Sequence, residues 1–186
     1  MSFTKYESLR DRVVLITGGA SGIGEEFVKA FADNGARVAF FDLNDEAGQA
    51  LTKTLAASAR HTPLFLRCDV TRTDDLKTMI AEARQKLGPA SALINNAAND
   101  QRQIFTDVTA DEFDKTMAVN FRHIYFASQA VVPQMIELGG GSIVNMLSEI
   151  AVEPRRSENH STVVIFSVMP RDIFPRSTCS EVSRPR

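Results

Sequence analysis

The sequence contains few cysteines, no long apolar run and little net charge, and each absence narrows the class of protein. Its two cysteines, Cys68 and Cys179, provide neither a disulfide framework nor metal-ligand spacing, so we expect a cytoplasmic protein without a metal. No apolar run approaches the roughly 20 residues that span a bilayer, and residues 1–12 lack the apolar core of a signal peptide. A net charge of −2 gives no overall basic field that would attract nucleic acid.

What the sequence does contain is the composition of a globular domain and one pronounced motif. The 186 residues are 44% apolar and 24% charged, which suits one domain with a substantial core. Four apolar residues at 13–16 lead into Thr17 and then into Gly18-Gly19-Ala20-Ser21-Gly22-Ile23-Gly24. Apolar residues at helical spacing follow. The pattern predicts a buried strand, a tight turn and a helix, the opening of a dinucleotide-binding unit.

The glycines of this turn have separate physical roles. Gly18 lets the chain leave the strand at an angle that a Cβ would resist, and Gly22 admits a pyrophosphate close to the main chain. Gly24 allows the following helix to pack closely, and the helix N-terminus offers unpaired N–H groups to phosphates. The spacing is Gly-x-x-x-Gly-x-Gly, for which a plain turn is the alternative. The flanking strand and helix favour phosphate binding.

Further strand-like and helix-like segments alternate along the chain, which predicts an α/β fold with a doubly wound parallel sheet of Rossmann type. The predicted strands cover 13–17, 37–41, 63–68, 91–94 and 142–146, and the predicted helices cover 22–34, 45–57, 74–87 and 111–138. Several residues are expected to end or begin helices: Gly35 as a left-handed cap, Asn44 or Asp45 and Thr71 or Thr73 as N-caps, and Pro133 as a kink or stop.

An acid follows the second predicted strand at the position where a cofactor ribose would bind. Asp42 lies 18 residues beyond Gly24, close to the spacing at which a carboxylate meets the adenosine ribose. A carboxylate accepts hydrogen bonds from both ribose hydroxyls and repels a 2′-phosphate, so we predict NAD rather than NADP. A helix N-cap remains an alternative role for Asp42.

The glycine turn resembles the cofactor loop of the short-chain dehydrogenase/reductase family, and Asn95-Asn96-Ala97-Ala98 resembles the family's Asn-Asn-Ala-Gly element. The resemblance implies that Asp69 contacts the adenine amino group. The alternative is that Asp69 is a polar residue at the strand end that only turns the chain. The full set of implied cofactor-binding residues is Thr17, Gly18, Ser21, Gly22, Ile23, Gly24, Asp42, Asp69, Val70, Asn96 and Ala97.

The resemblance also implies two catalytic positions. Asn120 matches the asparagine that distorts a helix so that a main-chain carbonyl holds a water, although it is also consistent with a buried asparagine that caps a neighbouring loop. Ser148, just after the fifth strand, matches the serine that orients the substrate. His123, three residues beyond Asn120, is expected to pack or to face solvent. The polar run 99–102 resembles members that oxidise sugars or polyols.

The resemblance ends near residue 153, before the family's catalytic pair. Its Tyr-x-x-x-Lys is expected about 13 residues after Ser148, where this chain has Ser161 and Ile165; no tyrosine follows Tyr125 and no lysine follows Lys115. We therefore expect an NAD(P)-binding domain over 1–154, truncated after about the fifth strand, and a divergent tail over 155–186 that arose through a frameshift, alternative splicing or artificial joining of two sequences. The fifth strand would become an edge of the sheet, along which 162–168 would pair or pack. We expect the arginines of the tail to be solvated charges and residues 170–186 to be irregular.

Three functional hypotheses follow. The first is an NAD-dependent oxidoreductase lineage acting on a small alcohol or carbonyl, with weak or no activity in this chain. The second is a catalytically inactive dinucleotide-binding protein. The third, an unrelated methyltransferase or phosphate-binding fold, would share the glycine turn but not the later motifs. Assembly into a homo-oligomer through the long helix is left open, and no nucleic-acid or membrane partner is expected.

Overall fold

The computed structural model describes residues 5–99, 104–149 and 160–168. Strands and helices alternate along most of this length. The strands are β1 Val13–Thr17, β2 Arg37–Asp42, β3 Leu64–Arg67, β4 Ala92–Asn95, β5 Gly141–Glu149 and β6 His160–Val168. The α-helices are α1 Gly22–Asp33, α2 Asp45–Ala56, α3 Thr73–Leu87, α4 Ala110–Met117 and α5 His123–Glu137, and short 3-10 turns cover Glu7–Leu9 and Phe105–Asp107.

The strands form one sheet in the order β3-β2-β1-β4-β5-β6, and the first five are parallel. This confirms the predicted doubly wound α/β fold of Rossmann type. The chain moves outward from β1 to β3 and then returns to place β4 on the other side of β1. The loops after β1 and β4 therefore diverge, and ligands of such sheets bind in the crevice at this point.

Two apolar cores cover the two faces of the sheet. All five residues of β1 are buried, as expected for the central strand of a parallel sheet. Alternate side chains of the strand enter opposite cores: Leu15 packs with residues of α3 and α5, and Ile16 with residues of α1 and α2. The position of the loop after Thr17 is thus fixed from both sides.

The long helix predicted over 111–138 is interrupted. Thr109 begins α4 with a capping box in which its side chain and that of Glu112 each bind the other's backbone N–H. A π-helical turn, Ala118–Arg122, then separates α4 from α5. Of the two outcomes predicted at Pro133, a kink or a stop, the stop is wrong, because α5 continues to Glu137 with Gln134 and Met135 buried beyond the proline.

The other predicted helix ends have mixed outcomes. Gly35 has the expected left-handed conformation, with φ +78°, and Asn44 caps α2 by accepting a hydrogen bond from the Ala47 N–H. Neither threonine caps α3, whose N-cap position is occupied by Arg72 without a side-chain cap. Thr71 instead donates its hydroxyl hydrogen to Asp69, which removes it from the helix end.

The edge predicted at β5 is covered in the structure, and the alternative in which 162–168 pair along it is confirmed. Strand β6 pairs with β5 in antiparallel orientation, from Gly141↔Val168 to Glu149↔His160. The ten residues 150–159 are too few for the crossover of about a dozen that a parallel strand needs, so the antiparallel arrangement follows. The prediction for 170–186 lies outside the described residues. Among those described, we find no helix with the length and apolar character needed to cross a membrane.

Candidate functional site

The glycine turn is shaped by two close approaches. Gly18 has φ +66°, and a Cβ there would lie 2.7 Å from the Cα of Ala97 in the loop after β4. A Cβ on Gly24 would lie 1.8 Å from the Gly18 carbonyl oxygen and 2.7 Å from the Asn96 side-chain nitrogen. No other residue type fits at these two positions without displacing the backbone, so the turn is held against the loop that carries Asn96.

The N-terminus of α1 opens directly from this turn. Ser21 occupies the N-cap position without a side-chain cap, and Gly22 has no atoms within 4 Å of the position where a Cβ would be. The side chain of Ile23 is exposed. The first N–H groups of α1 are therefore open to an anion, which is the arrangement that binds phosphate groups at helix termini.

Asp42, the last residue of β2, contacts the same turn. Its carboxylate Oδ2 accepts a hydrogen bond from the Ala20 N–H at 2.9 Å, and its Oδ1 accepts one from the Asn44 N–H at 3.0 Å. Phe41 supports the turn as well, because its carbonyl accepts from the Gly18 N–H at 2.7 Å. A carboxylate offers about four acceptor positions, so Asp42 retains capacity for ribose hydroxyls after both backbone contacts are made.

Thr17 joins the ends of β1 and β4. Its buried hydroxyl oxygen accepts hydrogen bonds from the Asn96 and Ala97 N–H groups at 3.0 and 3.1 Å. The Asn96 side chain returns a hydrogen bond to the Gly18 carbonyl at 3.0 Å. Four of the predicted cofactor residues therefore belong to one hydrogen-bonded unit at the carboxyl edge of the sheet.

The loop after β3 forms a cleft of about 390 Å³ lined by residues including Asp69, Arg72 and Met79. Asp69 Oδ1 accepts from both the backbone N–H and the hydroxyl of Thr71, at 2.9 and 2.7 Å. Burial raises the pKa of the neighbouring Cys68 thiol to about 12, so this cysteine is protonated and unreactive at neutral pH. A larger cleft of about 480 Å³ lies between α2 and β3, away from the glycine turn, and contains none of the predicted residues.

Asn120 lies within the π turn and binds a loop. Its side-chain oxygen accepts from the Asn99 N–H at 2.7 Å, and its side-chain nitrogen donates to the Asn99 carbonyl at 2.9 Å. The distortion expected around Asn120 is present as the π turn, and the alternative role, in which the asparagine caps a neighbouring loop, also matches these contacts. Single π turns inside helices occur frequently at functional sites.

His123 is buried beneath this turn, a placement that sequence reasoning left undecided. Its side chain is 1% exposed, its Nδ1 contacts the Val119 carbonyl, and its Nε2 lies 3.4 Å from the Thr17 hydroxyl. A carbonyl only accepts, so Nδ1 carries the proton and Nε2 is the acceptor. Burial lowers the pKa of His123 to about 4, and the Val119 contact opposes this only in part.

The structure brings the predicted residues together unevenly. The glycine turn, Asp42, Asn96 and Ala97 surround one crevice, and Asp69 lies at the adjoining end of β3. Ser148 pairs with Ser161 in the backbone ladder of β5 and β6, but its side chain lies outside the described part of the structure. The linking roles of Thr17 and His123 were missed, because the contact joins residues 106 positions apart and no local pattern marks it.

Comparison with known proteins identifies the class. The family whose sequence model matches residues 12–160 is described as short chain dehydrogenase, and the chain belongs to this family. It is 46% identical over 145 residues to the probable galactose dehydrogenase GalD of Rhizobium meliloti, covering 78% of this chain and 57% of that protein. It is 42% identical over 145 residues to the D-xylose 1-dehydrogenase of Caulobacter vibrioides, covering 78% and 56%.

A solved structure agrees with the fold. The crystal structure of an NADH-dependent reductase complexed with NAD superposes with a TM-score of 0.67 at 24% identity, covering 72% of this chain and 55% of that one. The chain thus spans little more than half the length of the relatives it matches. Their activities are carried by proteins with a further portion to which this chain does not align.

Proposed function

We propose that the chain binds NAD in the crevice at the carboxyl ends of β1, β2 and β4, and that its own dehydrogenase activity is weak or absent. The observation that carries the proposal is the contact of Asp42 with Ala20, which puts an acid beside the open N-terminus of α1. The residues fit a dinucleotide: the glycine turn leaves open space at Gly22, and helix N–H groups face it.

Asp42 supports NAD over NADP. Its carboxylate would accept hydrogen bonds from the ribose hydroxyls and would repel a 2′-phosphate, since neither contact with Ala20 or Asn44 neutralises its charge. Thr17 and Asn96 would hold the loop after β4 under the same ribose. Asp69 and Val70 would bind the adenine, with Asp69 accepting from its amino group.

For the reaction of the lineage we propose oxidation of a sugar or polyol to the carbonyl. The relatives are named a probable galactose dehydrogenase and a D-xylose 1-dehydrogenase, and the loop at Asn99 is polar. A bound nicotinamide supplies the hydride acceptor in this chemistry. Asn120 would hold a water through the main chain of its π turn, and Ser148 would orient the hydroxyl to be oxidised.

The missing element is a proton acceptor. The sequence has no tyrosine after Tyr125 and no lysine after Lys115, so Tyr-x-x-x-Lys is absent beyond Ser148. General acid–base catalysis contributes roughly 10²–10⁴-fold, and the loss of a substrate pocket would reduce activity further. An active dehydrogenase is the second candidate, favoured by 46% identity to a probable galactose dehydrogenase over the shared part.

Cofactor binding is tested by thermal unfolding with increasing NAD or NADP. A ligand that binds only the folded state stabilises it by about 2.7 kcal/mol at a concentration 100 times its Kd. We expect stabilisation by NAD and little by NADP. The Asp42→Asn variant keeps an acceptor for Ala20 but loses the charge, so its affinity for NAD should fall about tenfold and its preference over NADP should decline.

The matched control is Asp45→Asn, since Asp45 lies three residues away and its carboxylate accepts a hydrogen bond from the Gln49 side chain on the surface of α2. It should leave both affinities unchanged. The absorbance of reduced nicotinamide, followed with galactose, xylose and simple polyols, separates the two candidates. Stabilisation without turnover supports the inactive binder; turnover at the level of an intact relative refutes it; and no response to NAD refutes both.

The assembly, domain extent and location remain proposals as well. Exposed apolar side chains recur every four residues from Phe113 through Met117 and Phe121 to Tyr125. Such a stripe favours association of identical subunits, which light scattering would detect. We also propose that the dinucleotide-binding domain extends over 1–154 and that the protein is cytoplasmic.

A further inference from the structure

Arg122, the last residue of the π turn, reaches across to the loop after β3. Its guanidinium Nη2 donates a hydrogen bond to the Thr71 carbonyl at 3.0 Å, joining positions 51 residues apart. The contact links the turn that holds Asn120 to the loop that lines the cleft at Asp69. No role proposed above uses this arginine.

The starting point of this link is rigid. His123, the next residue, is buried between the Thr17 hydroxyl and the Val119 carbonyl, so the end of the π turn is fixed against β1. Ala118, at the other end of the turn, is also buried. Arg122 therefore extends from a backbone whose position is set by the sheet.

The end point of the link is the residue that orients Asp69. Thr71 gives both its N–H and its hydroxyl hydrogen to Asp69 Oδ1, which sets the plane of that carboxylate. Asp69 Oδ2 accepts no hydrogen bond from any described residue, so one oxygen remains available. Holding the Thr71 carbonyl restrains the same peptide segment from which both donors project.

We propose that Arg122 is a positioning residue for adenine: by holding Thr71, it sets the orientation in which Asp69 presents its second carboxylate oxygen to an adenine 6-amino group. The inference rests on the proposed function, in which the adenine half of NAD binds at this cleft. A hydrogen bond from a charged guanidinium is stronger than one between neutral groups, so this contact restrains the loop more than a neutral donor would.

The test compares NAD with nicotinamide hypoxanthine dinucleotide, which carries an oxygen in place of the adenine amino group. The variant is Arg122→Met, because methionine keeps an apolar stem and loses every donor. Dissociation constants are measured by titration calorimetry on the full chain. We expect the affinity of Arg122→Met for NAD to fall about threefold to tenfold, from the loss of one hydrogen bond, with little change for the hypoxanthine analogue.

Three further variants isolate the effect. Thr71→Val removes the hydroxyl donor to Asp69 while keeping the carbonyl, so it should reproduce the selective loss. Arg122→Lys keeps a charged donor and should restore part of it. Arg84→Met removes the equally long-range bond of Arg84 to Glu137 between α3 and α5, away from the cleft, and should leave both dissociation constants unchanged.

Each outcome has a defined meaning. The inference would be overturned if Arg122→Met lost the same affinity for both dinucleotides, or lost none. A contact that only stabilises the loop would not distinguish an amino group from an oxygen. The Asp69→Asn variant distinguishes a failure of the Arg122 inference from a failure of the proposed adenine site. If Asp69→Asn leaves the preference for NAD intact, the adenine role of Asp69 is wrong; if wild-type chain binds no NAD, both proposals are wrong.

Discussion

Acid should destabilise this protein through the buried His123. In the folded chain the imidazole is 1% exposed and burial lowers its pKa to about 4 from an ordinary 6.5. Between these two values the unfolded chain binds a proton that the folded chain does not. The free energy of unfolding therefore has its full value above about pH 6.5 and falls as the pH is lowered towards 4.

The magnitude follows from the width of that interval. Each pH unit is worth about 1.4 kcal/mol, so lowering the pH from 7 to 5 should remove roughly 2 kcal/mol from this group alone. The structural reason lies in the two ring contacts. Protonation would place an N–H on Nε2 facing the Thr17 oxygen, which already accepts from the Asn96 and Ala97 N–H groups.

The assay is urea unfolding at pH 7 and pH 5 for wild type and His123→Gln. Glutamine is polar and of similar reach but does not titrate, so the variant should lose the histidine's share of the pH dependence. Proton-detected titration of the imidazole provides an independent check. Equal pH dependence in the two proteins, or a His123 that titrates near its ordinary pKa, would refute the reasoning.

Three other predictions concern single contacts. Thr109→Ala breaks the capping box of α4 and should lower the free energy of unfolding, measured in urea, by about 1 kcal/mol. The control, Thr78→Ala, loses a hydrogen bond to the Asp74 carbonyl of its own helix and should lower it by less. In the wild-type chain the Ala90 N–H donates to the Gln134 side-chain oxygen at 3.0 Å. Gln134→Leu leaves this N–H buried without an acceptor and should lower the free energy of unfolding by about 1–3 kcal/mol. Gly24→Ala places a Cβ against the Gly18 carbonyl and should abolish stabilisation by NAD in thermal unfolding, with Gly88→Ala, far from the crevice, as a control whose response to NAD persists.

The sheet was predictable because its strands are buried on both faces. Residues 13–16 are uniformly apolar, which is what a central parallel strand requires, and the glycine turn marked the start of α1. The predicted β4 ends one residue too early, at 94, because Asn95 is assigned to the Asn-Asn-Ala-Ala element that follows the strand. In the structure it lies in the strand, buried, and donates to Asn145 on β5 at 2.8 Å. A polar residue in a strand is stable when its partner lies on the neighbouring strand, and the sequence gives no indication of that pairing.

The links around the π turn were not predictable for a related reason. Asn120 could be identified only through its resemblance to a family position, since a π turn has no periodicity of its own. In the sequence Arg122 is indistinguishable from an ordinary surface arginine, because its partner Thr71 lies 51 residues away. The orientation of β6 also depends on geometry rather than composition, because 163–166 would suit a strand of either direction.

The proposed cofactor binding and the proposed loss of catalysis rest on different parts of this chain, so the first does not require the second part. Every contact that shapes the proposed dinucleotide site joins described residues before 124: Asp42 to Ala20, Thr17 to Asn96, and His123 to Thr17. The five parallel strands that hold these residues are complete, and β6 covers the edge that β5 would otherwise expose. The resemblance implies a proton acceptor beyond Ser148, where the sequence has neither tyrosine nor lysine. If the chain binds NAD without turnover, as proposed, we expect a substitution at the crevice to change cofactor affinity and not to produce turnover.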